Sequence, residues 1–153
     1  MSPMNRLSEL KENRKLDNNG FSLVELIIVI AIMAVLIGVL APQYLKYVEK
    51  GRASADIDNV DQMISAVVTY SADPSYATAS GTITCADGKI TLSGDDSTVG
   101  TIKHAMKEMS INIPADKFMK SNSYQNWVIT FAADGTISFS GDNGSDLQKA
   151  LGR

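Results

Sequence analysis

Residues 21–41 of this 153-residue chain are FSLVELIIVIAIMAVLIGVLA, an apolar run in which the only hydroxyl and the only charge belong to Ser22 and Glu25. As an α-helix, a run of this length rises about 30 Å, which matches the hydrocarbon core of a bilayer. Its Phe, Leu, Ile and Val side chains favour insertion by about 4–8 kcal/mol, and one carboxylate near the end of the run costs less than about 3 kcal/mol. The run therefore predicts a membrane-spanning helix.

The residues on either side of the run slightly favour an N-terminus in the cytoplasm. Four Lys and Arg side chains precede the run, and Lys46, Lys50 and Arg52 follow it closely. A conventional signal peptide has a shorter apolar core, followed by a cleavage site of small residues. Here the run is followed by Pro42-Gln43-Tyr44, so we expect a retained single-pass segment.

The composition argues against catalysis, cofactors and nucleic-acid binding. The formal net charge is −3, which gives no sign of a basic surface for phosphates. Cys85 and His104 are the only residues of their kinds. They exclude an intrachain disulfide and a zinc site of two or more thiolates, and they limit any catalytic pair to one imidazole. We therefore expect no enzyme activity and no cofactor.

After Pro42 the helical pattern continues but becomes amphipathic. The inward stripe recurs at steps of three and four, and its members are Ile57, Val60, Ile64, Val67 and Ser71, widened by Met63 and Val68. The polar side is expected to hold Asp56, Asp58, Asp61 and Gln62. Asp73-Pro74 predicts the end of the helix, because a residue before proline is pushed out of helical geometry. A helix over residues 22–72 follows, with a second half that needs a packing partner.

Residues 73–153 are rich in Gly, Ser, Thr and Asp and predict a small sheet. Segments 82–86 and 89–92 flank Asp87-Gly88, a two-residue hairpin turn signal. That turn pairs Cys85 with Ile90 and Ile83 with Leu92 on one face, which predicts Cys85 as a small core residue.

A second hairpin is predicted over segments 127–132 and 136–140. A two-residue turn at Asp134-Gly135 would scatter its apolar residues over both faces. A three-residue loop, 133–135 with Gly135 left-handed, instead gathers them on one face: Trp127, Ile129, Phe131, Ile137 and Phe139. Short helices are expected at 99–109 and 146–151.

The junction Asn19-Gly20-Phe21-Ser22-Leu23-Val24-Glu25 stands directly before the apolar run. It resembles the type IV prepilin signature: a basic leader ending in glycine, then Phe, a Ser or Thr, two hydrophobic residues and a glutamate. Pro42 also falls where type IV pilins commonly carry a proline that bends the long helix, so we expect it to kink or locally melt the helix. The resemblance covers roughly residues 14–72.

The resemblance implies an α+β, type IV pilin-like fold, in which a long N-terminal helix with a transmembrane first half packs on a small antiparallel sheet. It implies four segments: a prepilin leader peptide at 1–20, a transmembrane and assembly helix at 21–41, an amphipathic continuation at 42–72 and a β-rich head at 73–153. In the family, a leader peptidase cuts after the glycine and methylates the new amine. On this chain the cut falls between Gly20 and Phe21, and Phe21 is N-methylated.

Phe21, Glu25 and Pro42 are the residues that the resemblance links to assembly. Ser22-x-x-Glu25 also matches a capping box, in which serine bonds the third helical amide and glutamate reaches back to the cap. After cleavage, the Phe21 amine stands four residues from Glu25, and a buried carboxylate is costly unless it is paired. The amine of the same chain or of a neighbour could pair with it, and the resemblance favours the neighbour.

The resemblance implies a structural subunit of a type IV pilus that serves adhesion, twitching motility or DNA uptake. The alternatives are the major pseudopilin of a type II secretion system and a membrane-tethered domain that does not polymerise. The implied partners are copies of itself, the prepilin peptidase, a membrane platform and an assembly ATPase. The implied location is the cytoplasmic membrane, as a single-pass precursor, and then an extracellular surface filament, or fimbrium. The missing disulfide loop fits a Gram-positive pilin or a pseudopilin better than a Gram-negative pilin.

Three remaining polar features predict ordinary surface roles. Asp142 and Asp146 lie in a Gly- and Ser-rich stretch with oxygen ligands, but they lack the spacing of an EF-hand loop, so a solvated turn is expected rather than a calcium site. A calcium site there would favour the pseudopilin. His104 is expected to be a surface residue, and Asp95-Asp96 a solvated loop.

Overall fold

The structure, a computed structural model, describes residues 20–153. The predicted leader therefore lies outside the described residues, apart from Gly20. The elements in chain order are α1 (Leu23–Ala72), β1 (Gly81–Ala86), β2 (Lys89–Leu92), α2 (Ile102–Glu108), β3 (Trp127–Phe131), β4 (Ile137–Ser140) and α3 (Gly144–Ala150). By its internal contacts the chain divides after Gln43, and we call Tyr44–Arg153 the head unit.

Helix α1 begins one residue after the predicted start and ends at the predicted residue. It is unbroken at Pro42, so local melting, one of the two effects expected of the proline, does not occur. The chain turns after Ala72, where the Ser75 amide donates to Asp73 Oδ1 at 2.8 Å. This hydrogen bond lowers the pKa of Asp73 and stabilises the turn that ends the helix.

The first part of α1 leaves its apolar side chains uncovered. Every residue from Gly20 to Gln43 is exposed. Among the described residues, α1 is the one helix that is long and apolar enough to cross a membrane, and no residue of its most apolar stretch is buried. Residues 20–153 therefore supply no cover for this surface.

The sheet is antiparallel, with strand order β2-β1-β3-β4. The predicted first hairpin is confirmed, because Cys85 pairs with Ile90 and Ile83 pairs with Leu92 across Asp87-Gly88. The turn has positive φ at both central residues, which is the type I′ geometry that Asp-Gly favours. Strand β1 then pairs with β3, which places Cys85 opposite Trp127.

The predicted second hairpin is also confirmed. Ile129 pairs with Phe139, and Phe131 pairs with Ile137. The Ala132 amide donates to the Thr136 carbonyl at 2.9 Å, which leaves a three-residue loop. Gly135 in this loop has φ +86°, the left-handed conformation that the loop requires.

The second half of α1 packs with the inner face of the sheet in one hydrophobic core. Val60, Met63, Ile64 and Val67 are buried as predicted, but Val68 is 46% exposed and does not widen the stripe. Tyr70, three residues after Val67, continues it instead and is fully buried. Ile57 and Ser71 are only half-buried, and the Ser71 hydroxyl accepts a hydrogen bond from the Ala79 amide at 3.0 Å.

Both short helices differ from prediction at their starts. Helix α2 begins at Ile102 because the Thr101 hydroxyl caps it, accepting from the His104 amide at 3.2 Å. Helix α3 begins at Gly144, two residues earlier than predicted. Its N-cap residue Asn143 makes no side-chain cap, because its amide oxygen accepts instead from Gln125 at 3.3 Å and Asn126 at 3.2 Å.

Asp56 is the largest departure from the predicted polar face. It is fully buried, and its two carboxylate oxygens accept from the amides of Lys120 at 2.9 Å and Ser121 at 2.6 Å. Two turns earlier, Glu49 Oε1 accepts from the Asn122 amide at 2.5 Å. The loop before β3 is therefore held on α1 by two carboxylates.

We expect Asp56→Ala to lower the free energy of unfolding of the head unit by about 3 kcal/mol or more, because two hydrogen bonds to a charged acceptor are lost and the buried amide of Ser121 is left without a partner. Urea unfolding of the full chain in detergent, followed by the fluorescence of the single tryptophan, Trp127, measures the change. Asp58→Ala is the matched control, since Asp58 is exposed on the same helix and is expected to change stability by less than about 0.5 kcal/mol. Equal effects of the two substitutions would show that the carboxylate of Asp56 does not hold the loop.

Candidate functional site

The N-terminal end of α1 brings the predicted cleavage and assembly residues together. Gly20 and Phe21 precede the helix without regular structure, and Phe21 is 83% exposed. A Cβ atom placed on Gly20 would meet nothing within 4 Å. The described fold therefore does not require glycine at this position, and the Gly20–Phe21 peptide bond is open to a reagent or an enzyme.

Ser22 and Glu25 cap the helix in a variant of the predicted capping box. Glu25 Oε2 accepts from the Ser22 amide at 2.7 Å, as predicted. The Ser22 hydroxyl, however, accepts from Val24 at 3.3 Å rather than from Glu25. The hydroxyl thus serves the second helical amide instead of the third, and both choices satisfy a donor that the helix start leaves free.

The cap leaves chemical capacity on the Glu25 carboxylate. One oxygen is used by the Ser22 amide, and the other has no hydrogen-bond partner among the described residues. The positive end of the helix dipole also favours a negative charge in the first turn. A carboxylate in this position can therefore cap its own helix and accept a cation at the same time.

The exposed apolar part of α1 includes small residues at four positions, Ala31, Ala34, Gly38 and Ala41. A Cβ on Gly38 would meet nothing within 4 Å, so packing within the described chain does not require its small size. Such residues let helix backbones approach closely, although ordinary transmembrane composition explains them equally well. Pro42 is also exposed and lies directly after the run.

The acidic turn at Asp142 and Asp146 has a structural explanation that the sequence did not reveal. Both carboxylates are exposed, and among residues 20–153 no three Asp, Glu, His or Cys side chains are grouped so as to hold a metal ion. Gly141 has φ +91°, and a Cβ there would lie 2.9 Å from the Trp127 Cα. The glycine is therefore required by packing against the start of β3.

His104 is more enclosed than predicted. It is half-buried, and its Nδ1 lies 2.8 Å from the Asp96 carbonyl oxygen. Its ring meets Tyr70 edge-on at a centroid distance of 5.8 Å, and Tyr70 stacks on Tyr76 at 4.5 Å. The imidazole therefore joins α2 to the end of α1 and has a packing role.

Cys85 is buried, as predicted, and its Sγ donates to the Gln125 carbonyl oxygen at 3.1 Å. Burial raises the pKa of this thiol to about 11. A nucleophilic cysteine needs a lowered pKa and some exposure, so the environment of Cys85 is that of an unreactive core residue.

A long apolar helix that continues under a small antiparallel sheet defines an α+β, pilin-like fold. Residues 15–41 match the family model described as the prokaryotic N-terminal methylation motif. This motif is the type IV prepilin signature, and the matched segment includes Gly20, Phe21 and Glu25. Searches of curated proteins and of solved structures gave no match to the chain.

Residues 15–41 therefore carry the type IV prepilin signature, as the resemblance predicted. The match spans the end of the predicted leader and the whole apolar run. A motif of this kind points to a structural subunit rather than to an enzyme.

We expect Cys85 to resist alkylation in the folded protein. At pH 8 a thiol whose pKa is about 11 is ionised to about one part in a thousand, whereas an ordinary cysteine with a pKa near 8.5 is ionised to about a quarter. Burial slows the reaction further. Peptide mass mapping after timed iodoacetamide treatment should show labelling of Cys85 at least about a hundredfold slower than of an exposed thiol.

The exposed thiol can be placed in the same molecule by Ser138→Cys on β4, where the side chain points to solvent. Urea should bring the two rates together. Equal rates without urea would contradict the assignment of Cys85 to the core.

Proposed function

We propose that the protein is a structural subunit of a type IV pilus, cleaved after Gly20 by a prepilin peptidase, methylated on Phe21 and polymerised through the first half of α1. One observation carries this proposal: an uncovered apolar helix begins at Leu23, two residues after Phe21, and carries a single carboxylate, Glu25, in its first turn. The match to the N-terminal methylation motif supports it.

The uncovered apolar surface of α1 would be covered first by lipid, in the precursor, and then by other subunits, in the filament. Large apolar side chains such as Ile27, Ile30 and Val35 are 51–67% exposed, and each such side chain left in water forfeits about 1.5–3 kcal/mol of burial. A bilayer would cover them in the precursor, with the leader in the cytoplasm and the head unit on the other side. In the filament, the same helices from many copies would cover one another.

Glu25 would supply the specificity that apolar packing lacks. In lipid or in a helix bundle its charge is costly unless a cation compensates it. Cleavage creates a cationic amine on Phe21, and the neighbouring subunit's amine would pair with the oxygen of Glu25 that the cap leaves free. Such pairing would fix the axial position of each incoming subunit, while Pro42 would shape the helix where the apolar run ends.

The precursor would be a single-pass protein of the cytoplasmic membrane, and the product would be a surface fimbrium for adhesion, twitching motility or DNA uptake. Its partners would be further copies, the prepilin peptidase, a membrane platform and an assembly ATPase. The proposed role needs no catalytic residue and no cofactor.

We expect filaments sheared from cells to contain an abundant N-terminal peptide that begins with N-methylated Phe21. Mass spectrometry of the sheared fraction and of the membrane fraction measures both the cleavage and the location. The same peptide confined to membranes would favour a pseudopilin or a minor subunit. A chain that still begins at Met1, or one cut after Ala41, would overturn the prepilin role.

We expect Glu25→Ala and Glu25→Gln both to reduce filament yield strongly, by at least about a hundredfold if the lost buried ion pair contributes about 3 kcal/mol per subunit. Leader cleavage should continue in both variants. The glutamine side chain keeps an amide oxygen that can accept from the Ser22 amide, so the Glu25→Gln variant loses the charge while retaining the cap. Quantitative blotting of sheared and membrane fractions measures the effect.

Ser22→Ala is the matched control for the cap. It removes the hydroxyl that accepts from Val24, costs about 1 kcal/mol of helix stability and leaves the charge in place, so its filament yield should stay close to that of the wild type. Normal assembly of the Glu25→Gln variant would show that the carboxylate acts only as a helix cap.

A further inference from the structure

The first nine residues of the head unit, which belong to α1, include an exposed set of aromatic and cationic side chains. Tyr44 is 67% exposed and Tyr47 is 73% exposed, and Lys46, Lys50 and Arg52 are exposed as well. We call these five residues the collar. They begin three residues after the apolar run ends at Ala41.

The cations of the collar are not neutralised within the described residues. None of the three makes a hydrogen bond or an ion pair with another residue in 20–153. The one carboxylate among them, Glu49, is half-buried and accepts from the Asn122 amide at 2.5 Å. The next carboxylate, Asp56, is fully buried between two loop amides. The collar is therefore a local positive surface.

The collar surrounds most of the helix. At about 100° per residue, its members cover about two thirds of the circumference, from Lys46 through Lys50, Tyr47 and Tyr44 to Arg52. The remaining third contains Glu49, which bonds to the loop before β3. A helix that crosses a membrane interface is surrounded by headgroups on every side that the protein does not cover. The wide distribution of the collar around the helix fits this arrangement better than it fits contact with a single partner helix.

The spacing along the helix also fits a bilayer interface. The collar begins about 4.5 Å beyond Ala41 and extends about 12 Å along the axis. It therefore starts within a headgroup layer of about 5–8 Å and continues past the outer edge of that layer. Tyrosine combines an apolar ring with a polar tip, and it is enriched at this level of membranes. Lys and Arg place their stems along apolar surface and their charges among headgroups.

We propose that the collar binds anionic phospholipid headgroups in the leaflet that faces the head unit, and thereby sets the depth of the precursor in the membrane before assembly. This inference rests on the proposed membrane insertion. Charge complementarity selects the occupant, because three unpaired cations attract anionic headgroups, whereas the same collar on a second copy would repel them. From Asp56 to the C-terminus acidic side chains outnumber basic ones, so the attraction is confined to the collar.

The test uses the full chain reconstituted in mixed bilayers of phosphatidylcholine and phosphatidylglycerol. Electron paramagnetic resonance of trace spin-labelled lipids measures how strongly phosphatidylglycerol associates with the protein surface relative to phosphatidylcholine. A cation near an anionic surface contributes about fivefold to binding. The variant Lys46→Gln, Lys50→Gln, Arg52→Gln should therefore reduce the preference for phosphatidylglycerol by at least about fivefold.

Two further variants make the comparison specific. Lys89→Gln, Lys103→Gln, Lys149→Gln removes three exposed cations elsewhere in the head unit, with the same change in net charge, and should leave the preference unchanged. Lys46→Arg, Lys50→Arg, Arg52→Lys keeps the collar charges and should retain it. The cations of residues 1–20 are common to all variants, so differences between variants report the collar. All six substituted side chains are exposed, and the changes remove no core packing.

The outcomes separate this inference from the proposed function. Loss of the preference in the collar variant alone supports the inference. If lipid is immobilised but the wild type and the collar variant prefer phosphatidylglycerol equally, the inference is overturned and membrane insertion stands. The same conclusion would follow if the control variant lost the preference for phosphatidylglycerol as much as the collar variant does. No immobilised lipid of either kind would overturn membrane insertion, and the inference with it.

Discussion

The constraint on which the rest of the structure depends is that α1 is one continuous helix with two kinds of surface. From Leu23 to Gln43 its apolar side chains have no cover within the described chain. From Val60 to Tyr70 its apolar stripe is buried in the core of the head unit. A helix cannot keep a long uncovered apolar surface in water, because the burial forfeited greatly exceeds the net stability of a small domain. This surface therefore needs a cover that the described residues do not supply, and lipid or further copies of the chain would provide it under the proposed function.

Two kinds of contact hold the second half of α1 in the head unit. Apolar packing supplies most of the burial, but it is not directional. The carboxylates of Asp56 and Glu49 add direction, because they bond to three successive amides of the loop before β3. A sliding shift of the helix would leave the buried Asp56 charge without partners, which is among the costliest changes a core can undergo.

How much the sequence predicts depends on whether the signal is local. Both hairpin registers follow from the turn-forming residues Gly88 and Gly135 and from the requirement that apolar residues share a face. The apolar run is continuous in the sequence and can be recognised there directly. The burial of Asp56 cannot be predicted in this way, because the amides that it accepts from are 64 and 65 residues away and its polarity places it on the solvent side. The hydrogen bonds of Asn143 are also unpredictable from local sequence, because its side-chain oxygen accepts from the amides of Gln125 and Asn126, which directly precede β3. The signal that could have indicated Asp56 is its position, one helical step of four before Val60, on the buried stripe.

The geometry at the start of α1 explains why two residue types occur there that the described fold alone does not require. Alanine at Gly20 would meet no steric obstacle among the described residues, whereas the proposed peptidase cleft would favour glycine because it must approach the backbone closely. Glu25 satisfies a helix amide with one oxygen and leaves the other free, whereas an aspartate, shorter by one methylene, would reach the Ser22 amide less readily from the third helical position. Under the proposed function, the same carboxylate would stabilise the isolated helix before cleavage and pair with the newly formed amine after it. Cleavage would then supply the cation that makes burial of Glu25 favourable, so that processing and assembly are coupled through one side chain.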